Sequence, residues 1–315
     1  MSPETPSGPQ SVAGPDGAPL ARIVAATDFS ETADAALDWA VDIARQHGAG
    51  LRLIHALTLP APLPDYVPAG ADFGEELHSV ALAKLEETAA RVRQAGVEVE
   101  LEVPVGVPSQ AILRVAEESD ADLVVLGTRG LTGVGHLLLG STAERVVQRA
   151  RCPVLTVHPE DRGRHRPIRN VVLPTDFSSG ADQVAAVALR LLAGLEASAR
   201  IVLVHAYHLP IEYTAYGPIP TSVRFLEDVG ADAQERLDQA ARALSREGLA
   251  VESVLREGYP PDVIVETAQE HEADLIAMGT HGRTGLAHLL LGSTAERVVQ
   301  HAPCPVITVR RRDED

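Results

Sequence analysis

The chain has 315 residues, a formal net charge of −17, 45% apolar and 23% charged residues, and only 3% aromatics. The length suits two domains, and cores so poor in aromatics must be built from Ala, Val, Leu and Ile. The acidic balance argues against a nucleic-acid partner, which needs a basic face, and no G-x-x-x-x-G-K-[ST] loop is present, which excludes a P-loop NTPase.

Residues 1–18 are rich in Pro, Gly and Ser and lack the charged and apolar regions of a signal peptide, so a disordered tail is expected. A short apolar strand follows at residues 23–26. Ala36, Ala40, Ile43 and Ala44 then form one face of a helix. Residues 51–56 give a second strand, and Leu77, Ala81, Leu85, Ala89 and Val92 give a helical stripe that ends near Gly96. Residues 97–105 alternate as a third strand, and Pro108 or Ser109 opens a third helix. Residues 123–126 form a wholly apolar fourth strand, Ser141 opens a fourth helix, and residues 154–157 form a fifth strand.

The pattern then repeats. Residues 136–148 recur identically as 288–300, Thr27-Asp28-Phe29-Ser30 recurs at 175–178, Ala121-Asp122-Leu123 at 273–275, and Cys152-Pro153-Val154 at 304–306, all in the same order. Two copies of one domain therefore lie end to end, over residues 19–158 and 168–310, joined by a charged linker with Gly and Pro at 159–167. Strands alternating with helices predict a doubly wound α/β sheet, parallel, with helices on both faces. Such sheets take ligands at the carboxyl ends of their strands, where strand order reverses.

Two glycine turns lie at that end. Gly127 and Gly130 follow the fourth strand, and Gly140-Ser141-Thr142 follows nine residues later. Gly279, Gly282 and Gly292-Ser293-Thr294 repeat the spacing. Glycines permit close backbone approach to a ligand, and a helix N-terminus offers free N–H groups and partial positive charge, so it holds phosphate without an ammonium group. Lys84 is the sole lysine, so a lysine clamp is excluded from the second copy. Ser141 with Glu144, and Ser293 with Glu296, also have the spacing of a capping box. Replacing Gly140 and Gly292 by Val is expected to remove phosphate binding and leave the fold intact.

The G-x2-G-x9-G-[ST] pattern, the Thr-Asp-Phe-Ser segments and the Cys-Pro-Val entries together resemble the universal stress protein family over both copies. The resemblance implies a sheet order of 3-2-1-4-5 and an ATP site in each copy, open also to AMP or ADP, with Mg2+ arriving on the nucleotide. It implies that Ala26, Thr27, Asp28 and Ala56, with Pro174, Thr175, Asp176 and Ala206, line the adenosine pocket. Leu126, Gly127, Arg129 and Gly130 would flank the ribose and first phosphate, as would Met278, Gly279, His281 and Gly282. Gly140, Ser141 and Thr142, with Gly292, Ser293 and Thr294, would hold the phosphate tail. It also implies a pairing of the two halves within one chain and leaves a homodimer open.

Other residues carry weaker signals. Asp28 and Asp176 suit contact with hydroxyl or amine donors or with a metal ion, or an N-cap, a role Ser30 and Ser178 suit equally. His55 and His205 fit satisfied boundary positions, His136 and His288 surface or packing roles, and Arg145 and Arg297 solvated or interface roles. Cys152 and Cys304 fit inert thiols. The proline-rich segments 60–72 and 210–221 suit loops over the pocket mouth. No apolar run reaches the ~20 residues of a membrane span, so a cytoplasmic protein is expected. Three functions fit: a nucleotide-binding regulator, a slow ATPase or phosphotransferase, and an interaction scaffold that binds no nucleotide.

Overall fold

The computed structural model describes residues 19–58, 73–130, 139–161, 168–192, 199–207, 213–214, 217–218, 223–245, 250–281 and 291–310. Expectations for residues 1–18, 60–72, His136, Gly282 and His288 lie outside them.

In the first half, β1 (Arg22–Ala26), α1 (Glu31–His47), β2 (Gly50–Ile54), α2 (Phe73–Gln94), β3 (Val99–Glu102), α3 (Pro108–Glu118), β4 (Leu123–Gly127), α4 (Ser141–Arg149) and β5 (Val154–Val157) alternate as the sequence predicts. The second half repeats them as β6 (Asn170–Pro174), α5 (Ser179–Leu192), β7 (Arg200–Tyr207), α6 (Val223–Ser245), β10 (Ala250–Glu257), α7 (Pro260–Glu270), β11 (Leu275–Gly279), α8 (Ser293–His301) and β12 (Val306–Val309). It adds a two-residue antiparallel pair, β8 (Tyr213–Thr214) with β9 (Gly217–Pro218).

Each half is a parallel sheet of order β3-β2-β1-β4-β5 or β10-β7-β6-β11-β12, the predicted 3-2-1-4-5 arrangement. The chain leaves β1 outward through β2 and β3, then returns to β4 on its other side. The β1–β4 boundary is therefore the switch point, and a crevice opens at the carboxyl ends of these strands.

Alternate residues of each strand feed opposite cores. Ile23 and Ala25 face the layer under α1 and α2, whereas Val24 joins the layer under α3 and α4. Both layers continue into the second half, through Leu173, Leu203 and Ile307 on one face and Val172, Val204 and Met278 on the other. Burial on both faces explains why the central strands are unbroken apolar runs.

The halves join edge to edge. β5 and β12 pair antiparallel, Leu155 opposite Ile307, which makes one ten-stranded sheet. Thr156 Oγ1 donates to the Val306 carbonyl at 3.1 Å, and Thr308 Oγ1 donates to that of Val154 at 3.3 Å. The seam gives each half's last strand a partner and removes an exposed edge from both.

Side chains at the helix ends reinforce it. Arg190 of α5 donates to Asp122 at 2.8 Å, and Asp122 also accepts the amides of Ala21 and Arg22. Burial alone would raise the Asp122 carboxyl, but these donors outweigh it and hold it below the ordinary carboxylate value. Gln46 and His47 at the end of α1 both donate to the Leu191 carbonyl, at 2.9 and 3.2 Å. His158, beyond β5, donates to the Val299 carbonyl of α8 at 2.7 Å.

Burial holds both histidines below their ordinary value of about 6.5. Opposing this are a backbone hydrogen bond to each ring and, for His158, the charge of Glu160, whereas Arg190 adds to the lowering of His47 and Arg129 and His301 to that of His158. An unfolded chain takes up these protons near pH 6.5 and the folded one only at lower pH. Their stabilisation is therefore complete above about pH 6.5 and is lost as pH falls below it. Calorimetry should show the melting temperature falling from pH 7 to pH 5. His47→Gln with His158→Gln should flatten that slope, and an unchanged slope would place the pH dependence elsewhere.

Candidate functional site

The turn after β1 is fixed by its own side chains. Phe29 has φ +65°, a left-handed conformation that costs a residue with a Cβ about 1–2 kcal/mol. Thr27 Oγ1 accepts the Phe29 amide at 2.9 Å, Asp28 Oδ1 accepts that of Ser30 at 3.0 Å, and Ser30 caps α1 by accepting from Ala33 at 3.2 Å. His55, at the end of β2, donates through Nδ1 to the Thr27 carbonyl at 2.9 Å and packs its ring on Phe29 at 4.4 Å. The second copy repeats the device. Phe177 has φ +60°, Thr175 Oγ1 accepts its amide at 3.1 Å, Asp176 Oδ1 accepts from Ser178, and His205 donates to the Thr175 carbonyl at 2.7 Å. The histidines are therefore satisfied scaffold residues, and serine, not aspartate, caps α1. Asp176 is left with Oδ2 buried and without a hydrogen-bond partner.

The glycine turn approaches from β4 and β11. Gly140 donates to the Thr128 carbonyl at 2.8 Å and Gly292 to that of Thr280 at 2.9 Å. A Cβ on Gly140 would lie 3.1 Å from that oxygen, and one on Gly292 would lie 2.8 Å from its counterpart. Glycine thus suits the close return of the turn onto the strand exit, and valine would press on these carbonyls and displace the turn at Gly292, so an intact site geometry does not follow from that replacement. A Cβ on Gly130 would stand 2.6 Å from Asp28 Oδ2, so the first copy brings these two predicted residues together.

The capping boxes do not form. The N-caps of α4 and α8 are Gly140 and Gly292, extended at ψ 140°, with no side-chain hydrogen bond. Ser141 and Ser293 lie one position inside the helix, whereas a box needs serine at the cap itself. The first amides of a helix have no intrahelical acceptor. Those of Ser141, Thr142 and Ala143, and of Ser293, Thr294 and Ala295, accordingly have no partner among the described residues.

In the second half these parts enclose a cavity of about 290 Å3, near the lower end of the ~300–1,000 Å3 typical of small-ligand pockets. Its lining brings together Pro174, Thr175, Asp176, Ala206, Met278, Gly279, His281, Gly292, Ser293 and Thr294. His281 contributes Nδ1 to a 2.9 Å hydrogen bond with Thr280 Oγ1, and its buried Nε2 has no partner. Residues the sequence reading missed also line it, notably Val204, and Pro260 and Ile264 from the start of α7. The signal for α7 was available, since its first turn follows the edge strand at the same end of the sheet.

In the first half, Ala26, Thr27 and Asp28 leave β1, Ala56 follows β2, Leu126 and Gly127 end β4, and Gly140, Ser141 and Thr142 open α4. Arg129 stands where the second copy has His281, and its guanidinium lies 4.0 Å from Glu160. Arg297 lies over the ring of Tyr259 at 5.5 Å, a packing role. Cys304 is buried in the core. Among the described residues no three His, Cys, Asp or Glu side chains group to hold a metal ion, and no helix is long and apolar enough to cross a membrane.

Comparison with known proteins agrees with this architecture. The sequence profile of the universal stress protein family matches twice, over residues 20–158 and 167–310. A universal stress protein of Mycolicibacterium smegmatis is 30% identical over 304 residues, covering 92% of this chain and 97% of that one. One of Mycobacterium tuberculosis is 31% identical over 306 residues, covering 91% and 96%. The crystal structure of a universal stress protein from Archaeoglobus fulgidus superposes with a TM-score of 0.70 at 22% identity, over 92% of this chain and 98% of that one. With two matches to the profile that span most of the chain and relatives aligned along nearly their whole length, this chain belongs to the universal stress protein family.

Proposed function

We propose that each half binds an adenine nucleotide, ATP above all, and that the protein acts in the cytoplasm as a nucleotide-responsive stress regulator. One observation carries the reading: an uncapped helix start, a glycine turn that brings it to the strand ends, and a buried carboxylate oxygen without a partner line one cavity. Charge sets the ligand's direction. Asp176 would repel phosphate, so its free oxygen suits the donors of a ribose or an adenine amine. The amides of Ser293 and Thr294 suit the phosphates.

The energetics are undemanding. Half-occupancy by a millimolar ligand needs only about −4 kcal/mol. A helix terminus contributes ~0.3–2 kcal/mol of this, and burial of adenine against Val204, Ile264 and Met278 adds an apolar share. The polar groups lining the cavity are amides, hydroxyls, one carboxylate and two imidazoles, a set suited to holding a nucleotide. Phosphoryl transfer would need further neutralising charge, which Mg2+ carried by the nucleotide could supply in part.

Titration calorimetry with ATP should give two sites per chain with Kd of about 1 mM or below. Asp176→Ala should weaken one of them roughly tenfold, the cost of one hydrogen bond to a charged group. No heat of binding, or an Asp176→Ala variant with both sites unchanged, would reject the reading. Phosphate release with Mg2+ and ATP separates binding from slow hydrolysis.

A further inference from the structure

The two halves repeat one plan, but the hydrogen bonds behind their glycine turns differ. In the first half, Gly140 donates to the Thr128 carbonyl at 2.8 Å. The Thr128 hydroxyl meets His158 Nδ1 at 3.2 Å, and His158 Nε2 meets the Val299 carbonyl of α8 at 2.7 Å. A carbonyl only accepts, so Nε2 carries the ring proton and Nδ1 accepts from Thr128. His158 is 6% exposed and Thr128 1% exposed, and Asp161 Oδ2 accepts the His158 amide at 3.0 Å, which fixes the backbone that carries the ring.

Val299 is a position where such a donor is needed. Its helical partner would be the amide four residues on, but that residue is Pro303, which has no N–H. The ring of one half thus completes the helix of the other. The reverse link is not built. Val147, the counterpart of Val299, is followed four residues later by Arg151, and the counterpart of His158 is Arg310. The Thr280 hydroxyl pairs instead with its neighbour His281.

We propose that His158 is a positioning residue that couples the two nucleotide sites, an inference that rests on the reading given above. Phosphate drawn onto the start of α4 bears on Gly140, and through the Thr128 carbonyl on the threonine whose hydroxyl holds His158. His158 in turn holds α8, whose first residues, Ser293 and Thr294, line the second site. A nine-residue helix moves as a rod, so a shift at Val299 reaches those amides. Coupling between binding sites is reciprocal, and of the order of 5–150-fold where it operates.

The test is ATP calorimetry on the full chain. The affinity of the first site is measured with the second filled and again with the second blocked by Ser293→Glu. The ratio in the wild type should be about fivefold or more. His158→Phe should bring it near one while two ATP still bind. His158→Gln, whose carboxamide N–H can still reach the Val299 carbonyl, should restore most of it. A purely structural role would weaken both sites by a common factor and leave the ratio as it was. A wild type that binds two ATP independently, or coupling that survives His158→Phe, would overturn the proposal. A wild type that binds no ATP would overturn the nucleotide reading itself, and this inference with it.

Discussion

Ser141→Glu and Ser293→Glu should each abolish ATP binding at its own site and leave the protein as stable as before, or slightly more so. Both serines are exposed at the first position of a helix whose glycine cap provides no side-chain acceptor. A carboxylate there stands where the phosphates would lie. At about 4 Å and an effective dielectric of about 20 the repulsion is roughly 4 kcal/mol, close to a thousandfold in Kd. The same carboxylate complements the helix dipole, worth about 0.3–1 kcal/mol at a surface position, so loss of binding cannot be attributed to unfolding. Calorimetry should give one site for either variant and none for the double variant, with melting temperatures at or above the wild type. A double variant that still takes up ATP would place the phosphates elsewhere. Valine at Gly140 and Gly292 gives no such separation, because the added Cβ presses on the Thr128 and Thr280 carbonyls.

The repeat made most of the fold legible. Thirteen identical residues in register fix two copies of one domain, and the alternation of apolar strands with amphipathic helices gives the doubly wound sheet. The candidate site was legible for the same reason, since its parts follow strands whose carboxyl ends must converge, and every described residue predicted for the second copy lines one cavity. The helix start is where the sequence puts it, at Ser141 and Ser293, but the cap lies one position earlier than a capping box would have it. A serine three residues before a glutamate fits a capping box, but Gly140 and Gly292 reach the strand exit only if they take the cap themselves. The role of His158 was hidden because its acceptor lies 141 residues away. The trace it left is Pro303, which deprives Val299 of a helical donor and so announces that one must come from elsewhere. The resemblance implies that the halves pair, but the strands that form the seam were hidden. Val-Leu-Thr-Val and Val-Ile-Thr-Val say that β5 and β12 are buried on both faces, but a strand's sequence does not say what borders its edge.

That seam carries the other large effect. Ile307 is fully buried opposite Leu155, at the centre of the β5–β12 pair and within the core layer shared by both halves. Ile307→Asp places a carboxylate there with no cation to meet it, a change worth about 3–5 kcal/mol. At the roughly 2 °C per kcal/mol typical of larger chains, the melting temperature should fall by about 6–10 °C. Ile307→Val, which removes one methylene group, should cost only about 1 kcal/mol. The shape of the transition says as much as its position. If the ten strands melt as one sheet, Ile307→Asp lowers a single transition seen alike in both halves. If the halves are independent domains that merely touch, the second half melts early and the first keeps its wild-type midpoint. The second outcome would deny the seam its role, and would also remove the rigid frame that coupling through His158 requires, since a helix held by the other half transmits a shift only while the two halves stay docked.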